Sequence, residues 1–109
     1  KILAHVDQCL MDYQSLAQVT LSNPKKHSIY VHVSCLVERL IRQAPIETYP
    51  NYVSLTTEHE KTISYIRQAF HRLEEAYSIS IPFTEIGYLC DILLAPNSQE
   101  TYSNSFDTD

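Results

Sequence analysis

The chain has 109 residues and a formal charge of −5, enough to bury one core with little room for a second. Its Lys and Arg residues are spread along the chain rather than gathered into a stripe that could neutralise phosphates, which argues against direct nucleic-acid binding. No apolar run approaches the roughly 20 residues that cross a bilayer and no signal-peptide pattern opens the chain, so no membrane contact and a cytoplasmic location are expected.

The chain starts at Lys1 without an initiator methionine, which suggests a piece of a longer protein whose other domains are partners. Cys9, Cys35 and Cys90 are odd in number and far apart, and each falls in an apolar helical pattern. That fits reduced core thiols better than a disulfide framework.

With Gly87 the single glycine and no tryptophan, apolar residues recur mainly at steps of three and four, and the chain reads as all-α. Ile2, Val6, Cys9, Tyr13, Leu16 and Thr20 form one stripe of a first helix that ends at the breaker Ser22–Pro24. Asn23 is then a candidate N-cap with Pro24 at the first helical position. The second helix runs to about Gln43 with Ile29, Val33, Leu36, Val37, Leu40 and Ile41 on its apolar stripe, and Pro45 stops it.

Residues 44–55 carry two prolines and no sustained period, so they read as a connector, with room for one short helical turn. Thr57 and Glu60 have capping-box spacing ahead of a third long helix, whose stripe is Ile63, Ile66, Phe70, Leu73 and Tyr77. The segment "SISIP" breaks that pattern, because a residue before proline avoids the α region. A last helix turns Ile86, Leu89, Cys90 and Leu93 inward, with Gly87 inside it at a cost of about 1 kcal/mol against alanine. Close helix approach is the expected compensation.

The expected architecture is therefore a compact bundle of four to five helices packed as antiparallel pairs, with helices one and two paired. It covers residues 1–95 and leaves 96–109 as a polar tail without periodicity.

There is no glycine-rich phosphate cradle, and Glu74–Glu75 and Glu58–Glu60 sit where a solvated face or a cap would put them. No catalytic residue and no cofactor are expected. A metal site is an alternative, because His5–Cys9 and His32–Cys35 each have spacing that puts two ligands on one helix face. A Cys2His2 site would then need helices one and two to face each other there. A third reading is a purely structural dimerisation module.

Ser28, His32, Cys35 and Arg39 share a helical stripe beside the core stripe of Val33, Leu36 and Leu40. Arg39 lies about 10.5 Å from His32 by helical rise, and its side chain leans back toward the helix N-terminus. A guanidinium so placed could meet an anionic group on His32. Alternatively Arg39 pairs with a carboxylate such as Glu85 and His32 is a boundary residue, which residue physics alone favours.

The stretch "VHVSCLVERLIR" resembles the histidine motif of PTS regulation domains (PRDs), where a phosphorylatable histidine is followed six and seven residues later by "ER" or "xR". Those positions are His32, Glu38 and Arg39. "ISIPFTEIGYLCDIL" resembles the closing signature of the same family, through Ile79, Ile81, Pro82, Glu85, Ile86, Gly87, Tyr88 and Leu89. The resemblance spans roughly residues 1–94, with both motifs in order.

It implies an all-α regulatory domain of a bacterial transcription regulator of sugar utilisation, not an enzyme. Such a domain is phosphorylated on histidine by the phosphoenolpyruvate:sugar phosphotransferase system, with HPr or EIIB as donor, and commonly works as a homodimer. His32 is then the phosphoacceptor, with Arg39, Glu38 and Asp91 as candidate partners of the phosphate and His71 and His5 as secondary candidates. Many members carry a second histidine in the last helix, whereas Ile92 stands there here, beside Asp91. The connector is shorter than in antiterminator members, which favours the C-terminal domain of LevR-like, sigma-54-dependent activators.

Overall fold

The computed structural model describes residues 2–44 and 57–96, which form four main helices with no strand among them. They are α1 (Ile2–Ala17), α2 (Asn23–Ile41), α3 (Glu60–Tyr77) and α4 (Phe83–Leu94). The all-α bundle is as expected. The connector lies largely outside the described residues, as does the tail beyond Pro96.

The helices do pair antiparallel, and the expected contact of α1 with α2 is present, but it is not the main packing of α1. The most extensive packing of α1 is against α3, and α4 packs against both α2 and α3. Long-range contacts set the directions. His5 near the start of α1 meets Tyr77 at the end of α3, and Arg72 of α3 donates to Asp12 further along α1 at 2.8 Å. Lys25 at the start of α2 reaches the end of α4, while Arg39 near the end of α2 reaches Glu85 at the start of α4. Helices α1 and α2 also touch, through Tyr30 donating to Asp7. Short connectors favour neighbours but do not choose which apolar face meets which.

Helix α1 stops at Ala17, earlier than its periodicity suggests, because Gln18 turns left-handed (φ 59°). Gln14 fastens the exit: its amide donates to Leu10 O and its carbonyl accepts from Leu21 N at 2.7 Å. Leu16 and Thr20 are therefore exposed, and Leu10 joins Val6, Cys9 and Tyr13 in the core. The cap of α2 is Ser22, not Asn23, since its hydroxyl accepts from Lys25 N. That bond satisfies one of the four orphan amides of the first turn. Ile29, Val33, Leu36 and Val37 are buried as expected, but Ile41, the last residue of α2, is exposed.

Glu60 opens α3 with His59, rather than the expected Thr57, at the N-cap position, and the His59 side chain makes no cap bond. Ile66, Ala69, Phe70 and Leu73 are its buried residues. Its end at Ser78 is left-handed (φ 54°) and hands the chain to α4 under close control. Glu74 accepts from Ile81 N at 2.8 Å and Arg67 donates to Ile81 O at 3.0 Å, while the Ile81 side chain is buried. Both backbone groups of one loop residue are thus held by α3, and this fixes where α4 begins.

Pro82 is the N-cap residue of α4, in extended conformation, and its carbonyl accepts from Glu85 N and Ile86 N. Ile86, Leu89, Cys90 and Leu93 point inward as expected, and Glu85 and Gly87 are buried with them.

Candidate functional site

The two anchors just described, one at each end of the α2–α4 pair, decide which side chains meet. At one end Lys25 is buried, and its ammonium donates to Leu93 O at 3.1 Å and Ala95 O at 2.6 Å. It satisfies carbonyls that the end of α4 leaves without helical partners, and a cation suits the negative end of the helix dipole. At the other end Glu85, in the first turn of α4, is fully enclosed.

Around that carboxylate two α2 side chains converge. Arg39 Nη2 donates to Oε1 at 2.8 Å and to Oε2 at 3.0 Å. His32 Nε2 lies 3.8 Å from the same Oε1, beyond hydrogen-bond reach but well within electrostatic range. Side-chain exposure is 21% for His32, 26% for Arg39 and 0% for Glu85. The carboxylate is therefore sealed in while the two bases each keep an edge toward water.

Among the described residues, His32 Nε2 and Arg39 Nε are buried and have no hydrogen-bond partner. Each such buried group carries an uncompensated desolvation penalty of about 1–3 kcal/mol. Burial also holds the imidazole pKa below its ordinary value; Glu85 opposes that shift and Arg39 adds to it. The lowered pKa favours the neutral ring, the form that keeps a nucleophilic lone pair.

Of the remaining sequence candidates, Glu38 does not join this cluster. It pairs with Arg42 at 3.3 Å on the solvent side of α2, with both side chains about two-thirds exposed. Asp91 is exposed on α4. His71 is exposed and lies against Glu74 and Glu75 of its own helix. His5 is half-buried, with Nδ1 3.3 Å from the Tyr77 hydroxyl and the two rings in an edge-to-face arrangement.

The alternative Cys2His2 cluster does not form. His5 meets Tyr77 of α3 and His32 meets Glu85 of α4, while Cys9 is buried and Cys35 exposed. Among the described residues no three His, Cys, Asp or Glu side chains converge as metal ligands. Burial raises the Cys9 thiol to about 11, which disfavours the thiolate a metal needs. The pairing of α1 with α3 is the physical reason, because it turns the His5–Cys9 edge away from His32.

Glu85 enters the sequence argument as an alternative carboxylate for Arg39 and as one position of the closing motif, without a role at His32, yet it is the centre of the cluster. Its presence inside the closing motif, in the first turn of a mainly apolar helix, is the signal that marks it. Lys25 had no such signal, since a lysine after a helix start reads as solvated.

A family model described as PRD domain matches residues 7–95. The chain belongs to the PRD family. No curated protein and no solved structure matches it. PRDs are regulatory domains acted on by proteins of the phosphotransferase system that serves sugar utilisation. No helix among the described residues of this PRD is long and apolar enough to cross a membrane.

Proposed function

We propose that this PRD is the phosphorylation-controlled part of a cytoplasmic bacterial transcription regulator of sugar utilisation, with His32 as the acceptor of a phosphoryl group from HPr or EIIB. The observation that carries the reading is the cluster on α2: a neutral, partly accessible imidazole beside a guanidinium, both drawn to one enclosed carboxylate. Phosphoryl transfer asks little covalent help from the acceptor protein and depends on positioning and charge. The lone pair of neutral His32 supplies the nucleophile.

The phosphoryl group adds negative charge next to Arg39, whose Nε is buried without a partner. A guanidinium in that state is suited to anionic oxygens. Phosphorylation thereby changes the electrostatic balance among the His32 ring, Arg39 and Glu85 at the α2–α4 contact, and through it the association of two copies or the activity of the parent regulator. The short connector favours a LevR-like, sigma-54-dependent parent.

Incubating the chain with phosphoenolpyruvate, enzyme I and HPr, with and without EIIB, tests the reading. Acid-labile phosphate on the wild-type chain, absent from His32→Ala, is expected. Undiminished labelling of His32→Ala removes His32 from the role.

A further inference from the structure

An imidazole can accept a phosphoryl group on either nitrogen, and the two nitrogens of His32 have different surroundings. Nε2 is buried and faces Glu85 Oε1 at 3.8 Å. The side chain as a whole keeps 21% of its surface exposed, so the part open to solvent does not include Nε2. A donor approaching from outside meets the ring away from Glu85.

Charge selects in the same direction. The Glu85 carboxylate is fully enclosed, and Arg39 binds both of its oxygens. A phosphoryl group on Nε2 would set its negative charge against that carboxylate in a medium that screens poorly. A carboxylate facing Nε2 instead favours the tautomer with the proton there. The partner of one ring nitrogen thus decides the state of the other, and leaves the lone pair on Nδ1.

We propose that Nδ1 of His32 is the nitrogen that takes the phosphoryl group, with Glu85 as the positioning residue whose carboxylate, 3.8 Å from Nε2, favours the proton on that nitrogen through its charge; this rests on the phosphoacceptor reading above. In the step, the Nδ1 lone pair forms the new N–P bond. The bond between phosphorus and the carrier's leaving atom breaks, and its electron pair goes to the carrier. Nε2 keeps its proton, so the ring becomes an imidazolium facing Glu85 while the phosphoryl group points outward. The Arg39–Glu85 pair need not open for this to happen.

The experiment uses the chain with 15N-labelled histidine, phosphorylated by phosphoenolpyruvate, enzyme I and HPr, with EIIB added in a second arm. Long-range proton–nitrogen correlation spectra distinguish the two phosphohistidine isomers, and His32→Ala assigns the signals. The expected result is Nδ1-phosphohistidine as the major isomer at His32. With Glu85→Gln or Glu85→Asp, labelling should slow by about tenfold, the scale of losing a carboxylate that orients a functional histidine, and the Nε2 isomer should gain.

Nε2-phosphohistidine as the major wild-type isomer overturns the proposal and leaves the phosphoacceptor reading standing. An isomer ratio unchanged in both folded Glu85 variants overturns the role of Glu85. No label at His32 in either arm overturns the phosphoacceptor reading itself, and this proposal with it. The wild-type spectrum decides the acceptor nitrogen even if neither variant folds.

Discussion

Replacing Arg39 by methionine isolates the buried charge at the α2–α4 contact. The substitution keeps an unbranched apolar stem and removes both hydrogen bonds, of 2.8 and 3.0 Å, to a carboxylate with no exposed surface. Breaking a buried pair from one side costs about 3–5 kcal/mol, because the other charge stays in a poor solvent. A quarter of the Arg39 side chain reaches water, which can partly fill the vacated space. The lower end, about 3 kcal/mol, is therefore expected, equivalent to a fall in Tm of at least about 12 °C for a domain of this size.

The sign of a second substitution makes the test sharp. Glu85→Gln in the wild-type background leaves Arg39 with a neutral acceptor and should destabilise by about 1–2 kcal/mol. In the Arg39→Met background the same change removes the stranded charge and should recover about 1 kcal/mol. Urea unfolding of the four proteins at pH 7 gives the cycle. If Glu85→Gln destabilises equally in both backgrounds, within the roughly 0.5 kcal/mol that independent sites allow, the two side chains are uncoupled and the electrostatic argument for the site fails.

The depressed pKa of His32 sets a pH window: above the ordinary value of 6.5 the ring is neutral folded and unfolded. As pH falls below that value the unfolded chain gains the proton first, so stability drops until the folded pKa is passed. This contribution should be missing from His32→Asn, and parallel pH–stability curves for the two proteins from pH 8 to 5 would contradict it. Lys25→Met strands the Leu93 and Ala95 carbonyls and should cost about 2–3 kcal/mol. Amide exchange should speed up in the last turn of α4 and the first turn of α2; exchange unchanged in both would refute the anchor. His71→Ala and His5→Phe should keep phosphoryl labelling within about twofold, since neither ring touches the His32 cluster; a loss as deep as that of His32→Ala would refute this. Elemental analysis should find no stoichiometric zinc; one equivalent would restore the Cys2His2 alternative.

Much of the fold was legible in the sequence because amphipathic periodicity is a local property. A stripe such as Ile66, Phe70 and Leu73 marks both a helix and its inward face. Helix ends were read less well. Gln18 ends α1 in a left-handed conformation that an amide residue gives little warning of, and the choice between Ser22 and Asn23 as cap depends on which side chain reaches the Lys25 amide. The dominance of the α1–α3 packing over the α1–α2 contact has a related cause. Connector length says that neighbours can pack, but burial of the whole apolar surface decides that α1 lies on α3.

By itself the sequence determined that the chain is helical, where its apolar faces lie, and that His32 and Arg39 share one side of α2. It also carried the two motifs whose family the match over residues 7–95 bears out. Only the tertiary structure decided what faces that side. Sequence spacing describes one helix at a time, whereas Glu85 lies 46 residues beyond Arg39 and reaches it because Arg67 and Glu74 hold Ile81 and so aim the start of α4. The same assembly enclosed Glu85 beside His32, whereas the pairing of Glu38 with Arg42 four residues on is local to α2. Enclosure is what gives the carboxylate its influence, since a charge pair that would be weak in water is strong where water is excluded.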